Sequence, residues 1–365
     1  MDEKLKIPVI DIFAGPGGLG EGFSSFSKNG FCPFDIKLSI EKDPLACRTL
    51  RLRSFFRKVP FDHMRKPFLK FLQSNRNEKD EEVLFGQFEA EKKEVHQEVK
   101  CKELGSYNFP PEVIDGIIRS KINDSKNWVL IGGPPCQAYS TVGRARMSRV
   151  RKTHLSSFES DERHYLYQHY LRIIASHEPP VFVMENVKGL LSSSIKGKLI
   201  IQQILKDLKS PGDNGLKYRL FPFIESNSQG DSLFEGHDGE FDASDFIIKA
   251  ENFGIPQMRH RLIILGVRSD ISERPTALKA NDTFKTVGEV LSDLPPIRSG
   301  IGLKWDRTKS WFEHIQEIKA IFSNETIPES VRRLMVKYID RLAVGLPKGG
   351  AYLKYRSGRP KDYVK

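Results

Sequence analysis

A cysteine follows two consecutive prolines at the end of a short apolar run. Residues 128–131 (WVLI) form the run, and residues 132–137 (GGPPCQ) follow it. The prolines fix the backbone directly after a predicted buried strand, which places Cys136 at the carboxyl edge of a parallel sheet, where α/β proteins hold their sites. A thiol near a cation or a helix N-terminus can react as a thiolate. The alternative is a buried, inert cysteine, and the Pro-Pro context favours the reactive one.

A glutamate ends the next predicted strand. Residues 180–184 (PVFVM) are apolar, and Glu185 follows them directly. Neighbouring parallel strands would bring Glu185 and Cys136 to the same edge of the sheet. A carboxyl group in such a cleft can share a proton with a ring nitrogen. An ion pair with an arginine that serves only the structure is the alternative.

Two arginines stand before or at the start of the last strong apolar run. In residues 257–261 (QMRHR), strand alternation places Arg259 and Arg261 on the same face as Gln257, and His260 on the other face, where it is given no role. The two guanidinium groups could hold Glu185 ionised, or bind a base carbonyl and a phosphate. A basic strand end exposed to solvent is the alternative.

A glycine-rich loop, residues 11–18 (DIFAGPGG), lies between a predicted strand and a predicted helix. Glycines let the backbone approach a ligand, and a helix N-terminus attracts an anionic group. Residues 15–20 also fit GxGxxG, which binders of NAD, FAD and S-adenosylmethionine (SAM) share; a tight turn without a ligand is the alternative. Glu41 ends the second predicted strand, where an acidic side chain can accept hydrogen bonds from ribose hydroxyls.

Composition excludes several classes of protein. The 365 residues are 39% hydrophobic, which suffices for a core and excludes global disorder. No apolar run is long enough for a membrane span, and the N-terminus lacks the apolar segment of a signal peptide. The net charge of +11 permits a nucleic-acid partner but equally fits a solvated basic surface. Four cysteines without a CxxC motif argue against a disulfide scaffold and a zinc ribbon, and favour a reducing, cytoplasmic compartment.

Strand, glycine turn, helix and strand predict one half of a doubly wound α/β fold. Asp43-Pro44 predicts a helix start. Residues 57–127 are predicted to form an insertion, of which residues 75–103 mix both charges without an apolar face and are expected on the surface of the sheet. The other predicted strands are 7–13, 35–41, 218–224, 246–249 and 261–267, and the predicted helices are 18–28, 161–176 and 199–208.

Taken in order, these motifs resemble the signatures of the cytosine-C5 DNA methyltransferase family. They are the glycine loop (11–18), Pro-Pro-Cys-Gln (134–137), Glu-Asn-Val (185–187) and Gln-x-Arg-x-Arg (257–261). Asp161-x-Arg163 with Leu166-Tyr167 resembles a further signature, which packs near the cofactor. The similarity covers about residues 7–270, and residues 286–296 are similar to the stretch that leads to the family's target-recognition region.

The resemblance implies a Rossmann-like SAM-dependent methyltransferase sheet, doubly wound with helices on both faces, plus a small C-terminal extension. It further implies that residues 1–270 form the SAM-binding and catalytic domain, with the insertion at about 57–127. Residues 271–365 would be a linker and the start of a truncated target-recognition region.

The implied reaction is methyl transfer from SAM to C5 of a flipped cytosine in double-stranded DNA, without a metal, in a bacterial or phage restriction–modification system. Cys136 would form a covalent adduct with the base, Glu185 would stabilise charge at N3, Arg261 would lie near O2, and Arg259 would support the carboxylate. Glu41 would hold the ribose, and Glu103 is a candidate adenine contact. The other residues implied at the cofactor are Phe13, Gly15, Gly17, Gly18 and Leu19 around SAM and Pro134 at the pocket border.

The family's last two motifs, one of them a helix that completes the cofactor pocket, have no counterpart in the sequence. Residues 346–350 (LPKGG) resemble the beginning of the target-recognition region. The expectation is therefore a truncated gene product, or one half of a split enzyme whose second polypeptide supplies the rest.

Three other functions stay open. The same chemistry could act on cytosine in tRNA, the chain could be a non-catalytic DNA- or SAM-binding remnant, or GxGxxG could belong to a nucleotide-dependent oxidoreductase. The basic segment 141–152 could close over a nucleic-acid backbone or simply be a solvated loop.

Overall fold

The computed structural model describes residues 6–135, 163–195, 198–212, 215–224, 241–281, 285–292, 308–319 and 327–341. Cys136, Asp161 and the basic segment 141–152 lie outside the described residues, as do residues 346–350.

The apolar runs of the sequence form a central sheet. Its strands are β1 (Ile7–Ile12), β2 (Phe34–Glu41), β3 (Val99–Cys101), β4 (Val129–Gly132) and β5 (Val181–Val187), followed, after a hairpin of β6 (Ser194–Ile195) and β7 (Lys198–Leu199), by β8 (Tyr218–Phe221), β9 (Ile247–Lys249) and β10 (His260–Arg268). The order across the sheet is β3-β2-β1-β4-β5-β10-β8, and β9 pairs with β10. Strands β1 to β5 pair in parallel, whereas β10 runs antiparallel to β5, β8 and β9.

Helices connect the strands, and three of them, Gly18–Ser25, Arg163–His177 and Ile200–Lys209, lie where the periodicity predicts helices. Asp43 caps the helix Pro44–Lys58 by accepting a hydrogen bond from the backbone N–H of Ala46 at 2.8 Å, which confirms the predicted helix start. The helices are α1 (Gly18–Ser25), α2 (Pro44–Lys58), α3 (Phe61–Gln73), α4 (Glu78–Phe85), α5 (Glu89–Glu98), α6 (Pro111–Ile122), α7 (Arg163–His177), α8 (Ile200–Lys209), α9 (Val287–Leu291), α10 (Thr308–Ile318) and α11 (Glu329–Arg341).

Helices cover both faces of the sheet. Strand alternation turns Ile10 and Ile12 of β1 toward one face, where buried residues of α6, α7 and α8 pack against them. Val9 lies on the opposite face, against which Leu19 and Phe23 of α1 pack. The predicted doubly wound, Rossmann-like fold with helices on both faces is therefore confirmed.

The segment predicted as an insertion at 57–127 contains an edge strand of the sheet and a helix that packs in the core. β3 is the edge strand beside β2, and Ile114 and Ile118 of α6 are fully buried in the core. A three-residue strand is too short to show a period, and the charged residues around it concealed it. Glu98, directly before β3, is buried and accepts from Arg57 at 2.5 Å and from Lys58 at 2.7 Å, which ties β3 to α2.

The chain divides into two compact units. The first comprises residues 1–64 and 85–287, and the second residues 65–84 and 288–365. The second unit thus starts later than the boundary predicted at 270, and it includes part of the predicted insertion. In this unit Trp311 and Ile339 are buried, and Lys319 pairs with Asp340 at 2.6 Å.

No helix among the described residues combines the length and the apolar character that crossing a membrane requires.

A disulfide joins Cys47 of α2 to Cys101 of β3, with the two Cα atoms 5.7 Å apart. The sparse cysteines gave no sign of this pair, because 54 residues separate the two positions. The bond closes a loop of the chain that runs from α2 through α3, α4 and α5 to β3. Cys101 is opposite Glu41 in the β2–β3 pairing, so the disulfide lies beside the end of β2.

Removing this disulfide is expected to destabilise the fold. Closing a loop of 54 residues restricts the unfolded chain, so replacing Cys47 and Cys101 with alanine should lower the free energy of unfolding by about 4 kcal/mol. Urea unfolding with and without dithiothreitol measures this difference. The reductant should destabilise the wild type and the Cys32→Ala control, but not the double variant. A wild type that ignores the reductant contradicts the prediction.

Candidate active site

The glycine loop turns sharply between β1 and α1. Gly15 has φ +56° and Gly17 has φ +88°, in the left-handed region that favours glycine. Gly17 also lies against α2, since a Cβ atom built on it would be 2.7 Å from Cδ2 of Leu50. The sequence therefore needs glycine at position 17 both for its backbone conformation and for the close approach of α2.

Backbone N–H groups surround the carboxylate of Glu41 at the end of β2. Oε2 accepts from the N–H of Gly15 at 2.8 Å. Oε1 accepts from the N–H groups of Lys42 and Asp43, each at 2.8 Å. Three donors fix this carboxylate and tie the glycine loop to β2. Because a carboxylate has about four acceptor positions, Glu41 retains capacity for a ligand.

A cavity of about 350 Å³ opens beside this carboxylate. The ends of β1 and β2, the chain after β3 and the chain after β4 supply most of its wall, and Leu166 of α7 completes it. Small-molecule sites typically occupy about 300–1,000 Å³ and combine apolar walls with a few polar groups. The lining residues are Phe13, Gly15, Ile40, Glu41, Lys42, Asp43, Lys102, Glu103, Leu104, Gly133, Pro135 and Leu166.

The structure brings some of the predicted cofactor residues to this cavity and places others elsewhere. Phe13, Gly15 and Glu41 line it. Glu103 lines it as well and pairs with Lys42 at 2.9 Å. Gly18 is exposed in the first turn of α1, and Leu19 packs against the sheet. Pro135, the neighbour of the predicted Pro134, is the proline in the lining.

Glu185 of β5 lies next to the start of the Pro-Pro-Cys segment. A Cβ atom built on Gly133 would be 3.2 Å from Oε2 of Glu185. Asn186 is buried, and its Nδ2 donates to the carbonyl oxygen of Pro134 at 3.1 Å. The predicted meeting of these two strand ends is thus present, although Cys136 itself, one residue beyond Pro135, is outside the described residues.

Arg261 provides the cation for Glu185. Its Nε lies 2.8 Å from Oε1 of Glu185, and both side chains are 24% exposed. Arg259, which alternation placed on the same face to support the carboxylate, is instead exposed and precedes β10, which starts at His260. Alternation holds only inside a strand, so the pattern assigned the supporting role to Arg259 although Arg261 has the contact.

Asp11 is a buried carboxyl group that the sequence contained without a role. It lies on β1 below the glycine loop, is fully buried, and neither of its oxygens has a hydrogen bond of normal geometry among the described residues. Burial raises the pKa of Asp11 from 3.8 to about 8, and the charge of Glu41 adds to the increase. An aspartate inside an apolar run was the available signal for such a group.

The two halves of the site meet at Gly133. This residue lines the cavity and also faces the Glu185 carboxylate. A ligand in the cavity would therefore lie beside a carboxylate paired with a guanidinium, a combination that can bind and polarise a nitrogen heterocycle. Among the described residues, no group of three or more His, Cys, Asp or Glu side chains is arranged to hold a metal ion.

Comparison with known proteins gives a family model and several relatives. The model of the C-5 cytosine-specific DNA methylase family matches residues 92–229 and 232–354, which include Cys136, Glu185 and Arg261 but not the glycine loop. The Type II methyltransferase M.Bpa9945I of Bacillus paralicheniformis is 28% identical over 306 residues, 80% of this chain and 61% of the relative. M.BsuRI of Bacillus subtilis is 27% identical over 332 residues, 86% of this chain and 59% of the relative.

A third relative is closer to this chain in length. The Type II methyltransferase M.AquIA of Picosynechococcus is 26% identical over 311 residues, 81% of this chain and 90% of the relative. The chain spans only about three-fifths of the other two relatives.

Replacing Asp11 with asparagine should change how stability depends on pH. The folded state keeps a proton up to about pH 8 that the unfolded state loses near pH 3.8, so the wild type loses stability as pH rises through this window. The amide of Asp11→Asn cannot ionise, so the variant should gain relative stability by up to about 1.4 kcal/mol per pH unit between these values, and no more above them. Urea unfolding at pH 5, 7 and 9 measures the difference, and parallel pH profiles of both proteins would contradict it.

Proposed function

The chain belongs to the C-5 cytosine-specific DNA methylase family, and from this premise we propose that it transfers a methyl group from SAM to C5 of cytosine in double-stranded DNA. The single observation that carries the proposal is the position of Gly133, between the cavity and the carboxylate of Glu185. A methyl donor and a target base bound on either side of this residue would be neighbours.

The cavity fits the donor. Phe13, Ile40 and Leu104 offer apolar surface for an adenine ring, and Glu41, fixed by three backbone N–H groups, offers acceptor positions to ribose hydroxyls. Glu103 lies where it can accept from an exocyclic amine. When bound, SAM supplies a methyl group on a positively charged sulfur.

The chemistry of cytosine defines the tasks of the other residues. C5 is a poor nucleophile because the ring is electron-poor and aromatic. Addition of the Cys136 thiolate at C6 breaks the aromaticity and gives C5 enamine character. Glu185 stabilises the charge that develops at N3, and Arg261 keeps this carboxylate in place and provides a cation near O2. C5 then forms a bond to the methyl group of SAM as the bond from that methyl group to sulfur breaks, and S-adenosylhomocysteine leaves. Transfer of the C5 proton to a base restores the double bond of the ring and expels the Cys136 thiolate.

DNA is proposed as the substrate because the matched family is defined by it. A base stacked in a duplex cannot reach such a cleft, so the target cytosine must be flipped out. The Type II names of the relatives favour a role in a restriction–modification system. The bacterial cytoplasm holds both substrates.

A second polypeptide is a further part of the proposal. It would supply the target-recognition region and the two motifs that have no counterpart in this sequence. RNA methylation by the same residues is the second candidate, and tRNA serves as its test substrate.

The proposal predicts methyl transfer that depends on Cys136 and Glu185. With tritiated SAM and unmethylated DNA, alone or with a complementing polypeptide, the wild type should label DNA and leave tRNA unlabelled. Cys136→Ser should lose at least about a thousandfold in rate, and Glu185→Gln about a hundredfold. Cys32→Ser, which changes the free cysteine outside the site, is the matched control and should match the wild type.

Each assignment has an outcome that removes it. Transfer by Cys136→Ser at the wild-type rate removes the nucleophile, and label in tRNA alone moves the function to RNA. Full site-specific transfer by the isolated chain makes the second polypeptide unnecessary. Failure to trap DNA that contains 5-fluorocytosine, with or without a partner, favours a non-catalytic remnant.

Glu41→Gln should weaken the binding of SAM, and this effect can be measured in the absence of methyl transfer. An amide has one acceptor oxygen, so a charged acceptor of backbone N–H groups and of ribose hydroxyls is lost, which corresponds to about 10- to 100-fold in dissociation constant. Isothermal titration with SAM measures the change. Glu112→Gln, an exposed position in the first turn of α6, is the control. Equal affinity of Glu41→Gln and wild type contradicts the ribose assignment.

A further inference from the structure

His260, the residue between the two arginines, makes a short contact with an acidic side chain. Its Nε2 lies 2.6 Å from Oε1 of Glu251, and the two side chains are 25% and 19% exposed. The backbone N–H of Glu251 and, second, the His260 ring hold the pKa of the Glu251 carboxyl below its usual value. Glu251 is therefore an ionised acceptor for the His260 ring.

Glu251 is fixed within a short, well-braced turn. The turn is a 3-10 helix, Ala250–Phe253, that follows β9 and ends at Gly254, whose φ is +75°. The N–H of Asn281 donates to the carbonyl oxygen of Asn252 at 2.7 Å, which attaches the turn to a distant part of the same unit. The carboxylate that meets His260 is thus presented by a rigid support.

The turn contacts β10 close to the point where the pairing of β10 with β5 ends. The pairing of β10 with β5 ends at Arg261 and Val187. One residue earlier, His260 pairs only with β9, at Lys249, and the carbonyl oxygen of Arg259 accepts from the N–H of Ala250 at 3.1 Å. The turn after β9 therefore holds the chain that leads into Arg261.

Arg261 depends on the residue before it for its orientation. One terminal nitrogen of the guanidinium, Nη1, donates to the carbonyl oxygen of His260 at 2.8 Å. Nε lies 2.8 Å from Oε1 of Glu185, an ion pair without a hydrogen bond of normal geometry. A shift of His260 would move the carbonyl group that braces the guanidinium. The ring of His260 thus acts on Arg261 through the backbone, and His260 is not among the residues that line the cavity.

We propose that Glu251 and His260 form a positioning pair that holds the Arg261 guanidinium against the Glu185 carboxylate. The proposal rests on the proposed function, because it assigns the pair a purpose in the reaction of that site. It makes His260 a positioning residue and not a catalytic one.

The order of the Arg261 side chain tests the pair without any turnover. In protein labelled with ¹⁵N-arginine, relaxation of the Arg261 Nε–H, assigned with Arg261→Lys, gives its order parameter. The wild-type value should be near that of rigid backbone, about 0.85, and His260→Ala and Glu251→Ala should each reduce it below about 0.6. The double variant should lose no more than either single variant, since both remove the same contact. His260→Gln, whose amide can still donate to Glu251, should restore most of the order.

Activity provides the second measurement. His260→Ala should lower kcat about tenfold, with the KM for DNA and the dissociation constant of SAM within about twofold of the wild type, since only the geometry of the reacting site changes. His96→Ala, an exposed histidine on α5, is the matched control and should change neither measurement.

The outcomes separate the two proposals. An unchanged order parameter in both alanine variants overturns the positioning pair, and so does an additive loss in the double variant. A wild type that transfers no methyl group, either alone or with a complementing polypeptide, removes the proposed function, while the relaxation data still decide whether the pair orders Arg261. If His260→Ala does not fold, Glu251→Ala and His260→Gln carry the same comparison.

Discussion

The absence of side chains at the end of β4 is the constraint on which the site depends. A Cβ atom on Gly132 would collide with the carbonyl oxygen of Ile12 in β1, and one on Gly133 would press on Glu185 of β5. Glycine at both positions lets three strand ends come together at one edge of the sheet. The glycine loop after β1, the two prolines after β4 and the carboxylate of β5 can converge because neither glycine carries a side chain.

Glu41 performs a comparable task on the other side of the cavity. Its carboxylate holds the N–H of Gly15, and its carbonyl oxygen accepts from the N–H of Lys102 at 2.8 Å, so one residue connects the glycine loop, β2 and the chain after β3. This explains why a strand of three residues matters. β3 is short, but its pairing with β2 places Lys102, Glu103 and Leu104 at the cavity wall.

The sequence alone predicted those elements of the fold in which apolar residues recur with a regular period, or in which a residue such as proline restricts the backbone. The apolar runs predicted β1, β2, β4, β5 and β10, and Asp43-Pro44 predicted the start of α2. β3 was hidden within a charged segment, because a buried edge strand of three residues leaves no period. The sequence assigned the support of the Glu185 carboxylate to Arg259, whereas Arg261 makes the contact. The cause is similar, since the pattern does not show where a strand begins. Contacts between distant residues, such as Cys47 with Cys101 and Glu251 with His260, depend on the tertiary structure and leave no mark in local spacing.

Two ion pairs of the same unit illustrate the difference between holding a fold and serving a site. The carboxylate of Glu98 is 4% exposed and has both Arg57 and Lys58 as partners. Removal of both partners would leave an unpaired buried charge, at a cost of about 3–5 kcal/mol, so this cluster is required by the fold. The pair of Glu185 and Arg261 is 24% exposed on both sides, and screening by water reduces its contribution to stability to about 1 kcal/mol or less. Stability therefore gives little reason for a carboxylate and a guanidinium at this edge of the sheet. Their chemistry toward a bound base does, because the same partial exposure that weakens the pair leaves both groups within reach of a ligand.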